Sequence, residues 1–182
     1  MTESQRTEQV SKMSKGFKWR YKNKSAKYNL SKRSGGKNAI KYICVHYTGG
    51  TGSAKNNVLY FASGNRSASA DFFIDDSGVY KFNPNVKKYY SWAVGDGHGK
   101  YGITNSNSIS IEVVNNGGKF SDKGIAYLTK LVKWAMKYYG VKADHVVRHY
   151  DASRKRCPVY YCGSDAADKR WKTLHKKITG KE

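Results

Sequence analysis

From Ala39 onward the apolar and polar positions fall into short runs whose spacing changes along the chain, and each spacing predicts an element. The run Ile40, Lys41, Tyr42, Ile43, Cys44, Val45, His46, Tyr47 is rich in β-branched and aromatic residues and stops at Thr48, Gly49, Gly50, which predicts a strand delivering His46 to its C-terminal end. Ser53 caps a short helix through Val58 and Phe61, closed by Gly64. Strands over Ala70 to Ile74 and Val79 to Phe82 flank the turn Asp75, Asp76, Ser77, Gly78. Ser108 to Val114 forms another strand, and strict alternation along it decides which way Glu112 points. Ser121 caps a helix in which Ile125, Leu128, Val132, Ala135 and Tyr139 recur at helical spacing until Gly140 ends it. A short strand over His145 to His149 follows, and a last helix from near Ser164 puts Trp171, Leu174 and Ile178 on one face and lysines on the other. No internal repeat is visible. This order predicts an α/β fold: a single domain with a central mixed β-sheet flanked by helices.

The first 38 residues read differently. Eleven Lys and Arg against two acids, little aliphatic content and the break Ser34, Gly35, Gly36 predict a flexible basic arm, with Phe17, Trp19, Tyr21 and Tyr28 as sparse anchors. Residues 39–182 are then the folded domain. Of the formal charge of +21, the arm carries +9 and leaves +12 on that domain, so the folded region also presents a positive surface. Such a surface calls for a polyanionic partner, and nucleic acid and the anionic polymers of a Gram-positive wall satisfy it equally. The polar start, Met1 to Val10, lacks the apolar stretch of a secretory signal, and no run approaches the roughly 18 apolar residues of a membrane span. Three cysteines, Cys44, Cys157 and Cys162, are an odd number without framework spacing, which favours free or metal-bound thiols over a disulfide scaffold.

Among residues able to carry chemistry, His46 stands at a strand end, and His149 and Cys157 are separated by seven residues. Two imidazoles and a thiolate suit Zn²⁺ and leave a fourth position open for water. Spacing alone does not separate this reading from two ordinary histidines and a buried small thiol. Cys44 shares a strand face with His46 by alternation and is either near the same site or a structural thiol.

The segments Val45 to Gly49, Asn107 to Glu112 and His149 to Pro158, together with Trp92 to Asp96 and Tyr101, Gly102, closely resemble the N-acetylmuramoyl-L-alanine amidase family, which includes the short phage lysozymes and endolysins and is related to the peptidoglycan recognition proteins. The resemblance runs in order from about Ile40 to Cys162 and makes residues 39–182 the zinc amidase catalytic domain. It implies zinc-dependent hydrolysis of the bond between N-acetylmuramic acid and L-alanine in peptidoglycan, with His46, His149 and Cys157 as zinc ligands. It also implies that Glu112 serves the metal-bound water and that Lys155 helps polarise the tetrahedral intermediate. Read without the resemblance, Glu112 is an ordinary strand carboxylate and Lys155 a solvated lysine. Tyr47 and Thr48, directly after the first ligand, are candidates for a substrate-binding cleft wall. Trp92 either joins them or packs in the core. One departure from the family is that Ala70 and Asp71 stand where a Tyr or His near the metal is common. Asp71 is then either a support for a ligand imidazole or substrate, or a loop-edge carboxylate.

The reading as an enzyme implies peptidoglycan as the partner, with teichoic acids as anionic wall polymers that concentrate it. Without a signal peptide, a phage product would wait in the host cytoplasm until release to the wall at lysis. Two alternatives compete with it. A non-catalytic peptidoglycan-binding module typically lacks the cysteine ligand, which is present here. A nucleic-acid-binding protein is suggested by charge and by Lys87, Lys88, Tyr89, Tyr90, yet no recognised nucleic-acid motif accompanies it, so no specific nucleic acid is expected.

Overall fold

The computed structural model describes residues 2, 4–5, 18–25 and 27–181. Its centre is a six-stranded sheet built from β1 (Tyr21–Lys22), β3 (Tyr42–Tyr47), β4 (Phe72–Asp75), β5 (Gly78–Lys81), β7 (Ser108–Val113) and β8 (Val146–Arg148) in the order β1-β5-β4-β7-β3-β8. All neighbours pair in parallel except the β4–β5 hairpin, which turns over Asp76 and Ser77. A second ribbon pairs β2 (Leu30–Lys32) with β6 (Tyr89–Ser91) antiparallel. Among the described residues four α-helices flank the sheets: α1 (Ala54–Ala62), α2 (Asp122–Tyr139), α3 (His149–Ser153) and α4 (Asp165–Thr179). This is the α/β class the sequence predicts, with a sheet that is mostly parallel. Among the described residues no helix is long and apolar enough to cross a membrane.

Alternation along the two central strands sorts the side chains. Ile43 and Val45 of β3, with Ile109, Ile111 and Val113 of β7, face α2 and α4 and join Leu128, Leu131, Val132, Trp171 and Ile178 in the main core. The opposite face carries Cys44 and His46 on β3 and Ser108, Ser110 and Glu112 on β7, which a merely structural buried strand would fill with aliphatic residues. The helix ends follow their capping residues. Ser53, Ser121 and Ser164 each accept a backbone N–H at the start of α1, α2 and α4, and Gly140 and Gly180 take the left-handed conformation at the ends of α2 and α4.

Three expectations need correction. Within the segment expected as a flexible arm over residues 1–38, the stretch from Trp19 to Arg33 packs against the rest of the chain. Trp19 stacks on Phe72 at 5.3 Å and meets Trp134 edge-on at 5.4 Å, β1 extends the main sheet, and β2 pairs with β6. Arg33 is buried and donates to the carbonyls of Val86, Ser106 and Ser108. A few aromatic and polar anchors are enough to fix this segment, although its composition is that of a solvated tail. Residues 6–17, including Phe17, lie outside the described residues. The first helix ends at Ala62 with Ser63 as its cap, before Gly64. The strand expected over His145 to His149 is shorter, because the chain turns into α3 at His149.

Candidate active site

The C-terminal ends of β3 and β7 and the start of α3 bring three ligand-type side chains together. His46, His149 and Cys157 are all buried, and one donor atom from each lies within 4.8 Å of the others. The two histidines face each other through their Nδ1 atoms at 3.1 Å. Each outer nitrogen is held separately: His46 Nε2 by Ser110 Oγ at 3.2 Å, and His149 Nε2 by Asp96 Oδ1 at 2.8 Å.

These contacts fix much of the protonation pattern. Burial, followed by the charges of His149 and Lys155, holds the His46 imidazole well below its ordinary range. Burial lowers His149 too, with the Asp96 carboxylate pulling the other way. Burial pushes Asp96 up, but its bonds to His149 and Ser153 and the charge of Lys155 outweigh that and leave it below the usual carboxylate range. Asp96 is therefore an ionised acceptor, and His149 donates to it from Nε2, which leaves the Nδ1 of a neutral His149 as a lone pair aimed at His46. Burial, then the Glu112 charge, pushes the Cys157 thiol well up, so it keeps its proton unless a cation replaces it. Two neutral imidazoles with fixed outer partners and one thiol fit a tetrahedral zinc ion, whose ligand atoms stand about 3.3–3.8 Å apart around bonds of about 2.0–2.3 Å.

Glu112 lies beside this cluster because β3 and β7 pair in register at His46 and Glu112. Its Oε1 is 3.9 Å from His46 Nδ1, and its buried Oε2 has no hydrogen-bond partner among the described residues. Burial pushes its pKa up to about 8, with Lys155 pulling it down. The side chain as a whole is 20% exposed, but an Oε2 buried without a partner costs stability, and a carboxyl so perturbed beside a ligand cluster marks a candidate functional group. Lys155 is exposed at the cleft rim and acts electrostatically on Glu112, His46, His149 and Cys157.

A cleft of about 260 Å³ opens over these groups and is lined by Tyr47, Thr48 and Trp92 as well as His46, Glu112, His149, Lys155 and Cys157. The structure thus brings all eight sequence-predicted site residues to one place. Thr48 spends its hydroxyl locally, donating to the Gly50 carbonyl and accepting from Asn115 N–H. Trp92 is anchored by its indole N–H to Ser31 Oγ, so the ribbon around β2 supports the cleft wall. A second hollow, lined by Trp92, Ala93, Gly95, Asp96 and Lys155, continues the cleft beyond Trp92.

Several supporting residues escape sequence reasoning. Asp96 and Ser110 lie within segments that resemble the family, but nothing in the sequence assigns them to the outer nitrogens of the two imidazoles. Gly97 packs so closely on α3 that a Cβ there would meet the Ala152 carbonyl oxygen at 2.3 Å, which presses the Asp96 loop against the helix bearing His149. Arg148 ties the start of α3 to α4 through Asp151 and Asp168. Arg154, left-handed at φ 68° and seated over the Tyr101 ring at 4.0 Å, turns the chain so that Lys155 reaches the rim. Asp71 touches neither imidazole. It is fully buried and accepts from Ser110 N–H, Ser91 Oγ and Asn83 Nδ2, which makes it a brace for β7 rather than a loop-edge carboxylate. Cys44 is buried among Val94, Ile103 and Ala152 and contributes no donor atom to the cluster.

The chain is similar to several known proteins. The chain is 29% identical over 144 residues to the N-acetylmuramoyl-L-alanine amidase XlyB of Bacillus subtilis (strain 168), an alignment covering 78% of this chain and 44% of that protein. It is 33% identical over 123 residues to the N-acetylmuramoyl-L-alanine amidase CwlH of the same organism, covering 66% of this chain and 48% of that one. It therefore spans less than half the length of these curated relatives. Among solved structures it is similar to that of PlyL, with 26% identity and a TM-score of 0.69 over 89% of this chain and 97% of the other. The family model described as N-acetylmuramoyl-L-alanine amidase matches residues 36–160, a span that holds every residue of the cleft named above. By that match the chain belongs to the N-acetylmuramoyl-L-alanine amidase family.

Proposed function

We propose that this domain hydrolyses the amide bond between the lactyl group of N-acetylmuramic acid and the first L-alanine of peptidoglycan stem peptides, with a zinc ion held by His46, His149 and Cys157. The observation that carries the reading is the convergence of three buried donors with the Glu112 carboxyl, whose buried Oε2 is unpartnered among the described residues, all opening into one cleft. Zinc there would polarise the amide carbonyl and acidify a water molecule. Glu112 takes the proton of the attacking water and passes it to the departing alanine nitrogen. A cation held by the three ligands would add its charge to that of Lys155 and lower the raised Glu112 carboxyl, so that it can both accept and donate a proton. Lys155 faces the oxygen that gains negative charge as the carbonyl becomes tetrahedral. Asp96 and Ser110 hold the two imidazoles in the orientation that leaves Nδ1 free for the ion. Tyr47 and Trp92 offer ring faces to the muramyl sugar or stem peptide.

The test is mass spectrometry of Gram-positive peptidoglycan after incubation with the protein, with and without a chelator. Stem peptides released with a free alanine amine, lost on chelation and restored by Zn²⁺, are the expected result. Intact wall in the presence of folded, zinc-loaded protein would refute the reading and leave a binding module in its place.

A further inference from the structure

On the sheet face opposite the cleft, four lysines gather on one aromatic spine. Trp19 stacks on Phe72 with an interplanar angle of 8° and meets Trp134 edge-on, and Trp134 stacks on Tyr138 at 5.1 Å. The Nζ atoms of Lys22 and Lys81 sit 6.0 and 5.4 Å from the centre of the Trp19 ring, and those of Lys37 and Lys87 sit 5.7 and 6.0 Å from that of Tyr138. These four come from β1, β5, the 3-10 turn Gly36–Ala39 and the loop before β6, so the tertiary fold assembles them. None forms an ion pair with a carboxylate among the described residues. Burial and the charges of Lys22 and Lys87 lower the pKa of Lys81, which places these ammonium groups within one another's field. The carboxylate that pulls against this, Asp71, is fully buried and engaged by Ser110, Asn83 and Ser91. Like charges held together without a counter-charge destabilise the free protein and are relieved by an external anion.

We infer that this four-lysine surface is a second, non-catalytic binding site for a linear wall polymer with phosphodiester repeats, which would hold the domain on the wall while the opposite face acts on peptide. The choice of a wall polymer rests on the amidase reading. A second observation favours it over nucleic acid: Trp19 and Tyr138 stack on Phe72 and Trp134 and carry ammonium groups over their rings, so a base would have to compete with the lysines for the same ring faces. A polyol phosphate has charge and no bases, and needs only the lysines. None of the four lysines lines the catalytic cleft, so the two activities are separable.

The experiment uses the full chain with chelator present, so that binding is read without hydrolysis. Binding is measured at physiological salt to Gram-positive sacculi with their anionic polymers, to sacculi stripped of phosphodiesters by acid, and to single-stranded and duplex DNA. The variant K22Q/K37Q/K81Q/K87Q is compared with K123Q/K130Q/K172Q/K176Q, which removes the same charge elsewhere, and with a four-arginine version of the patch that restores it. The patch variant should bind intact sacculi at least about tenfold more weakly, with the dependence on salt reduced by up to about three to four counterions. The other quadruple variant should lose about threefold at most, the arginine version should bind like the parent, and stripped sacculi should not distinguish them. Thermal melts of all three show whether each is folded, and the arginine version keeps the test decisive if the glutamine variant is not. Equal losses in both glutamine variants would overturn the site in favour of diffuse charge. Tight, patch-dependent DNA binding at that salt would overturn the choice of partner. Turnover of a soluble muramyl peptide should be unchanged in the patch variant. If no variant or parent turns that peptide over, the amidase reading fails while the binding data still judge the patch.

Discussion

Replacing Glu112 with Gln should move activity and stability in opposite directions, and the stability effect should depend on pH. In the metal-free protein the Glu112 carboxyl is pushed from an ordinary 4.5 to about 8 because it is buried with Oε2 unpartnered. A carboxyl whose folded-state pKa is raised leaves full stability below its unfolded value and withdraws stability as pH climbs from about 4.5 to about 8. At pH 7 the unfolded chain gains nearly the whole benefit of ionising this group while the folded chain holds it mostly protonated. The penalty comes to about 3 kcal/mol, at 1.36 kcal/mol per factor of ten. Gln cannot ionise, so the parent and E112Q should differ by a constant at pH 5 and by about 3 kcal/mol more in favour of E112Q near pH 7.5. For a domain of this size that corresponds to an additional gain of about 6–12 °C in Tm. Urea melts of both metal-free proteins at the two pH values measure it, and taking the difference between proteins cancels the other titrating groups. A parent-to-variant difference that is the same at pH 5 and 7.5 would refute the claim that Glu112 is an uncompensated buried acid. Zinc should shrink the pH-dependent part, because a cation at the three ligands favours the ionised form. With zinc, E112Q should lose about 10²–10⁴-fold in kcat.

Other expectations follow from the same geometry. Asp96→Asn removes the charged acceptor that orients His149 and should weaken zinc affinity about 10–100-fold in a chelator competition; unchanged affinity would deny it that role. Lys155→Met should lower kcat about 10²–10³-fold with little change in KM, whereas a purely solvated lysine would leave both alone. Trp19→Ala, by removing the stack on Phe72 and Trp134, should cost about 2–3 kcal/mol in denaturant melts, and deleting residues 1–38 should cost far more; a neutral result for Trp19→Ala would restore the picture of a loose arm.

Those elements were legible in sequence whose side chains carry a period or a cap. The strands β3 and β7 alternate, and α2 and α4 announce themselves through Ser121, Gly140 and Ser164. The ligand-type residues were visible as types, and the resemblance put them in register. What escaped was short or non-local. The strands β1, β2 and β6 have two or three residues and exist only through their pairing partners, and α3 has five, too few to show a period. Asp96 reaches His149 across 53 positions of chain, a contact no local pattern encodes. Trp19 and Arg33 sit in a basic, Gly-broken stretch whose average hides two well-packed side chains.

The division of β3 and β7 into two faces has an evolutionary consequence. Ile43, Val45, Ile109, Ile111 and Val113 supply the core while His46, Ser110 and Glu112 on the other face supply the chemistry, so substitutions in the first set test folding and those in the second test catalysis; Tyr47, at the end of β3, and Cys44, packed against Val94, Ile103 and Ala152, fall outside this division. A lineage could retune Ser110 or the surroundings of Glu112 toward a new bond while Ile109, Ile111 and Val113 keep the domain standing. The same arrangement forbids one class of change outright: inserting or deleting a single residue in either strand exchanges the two roles at every position beyond it, and core and cleft would be lost together.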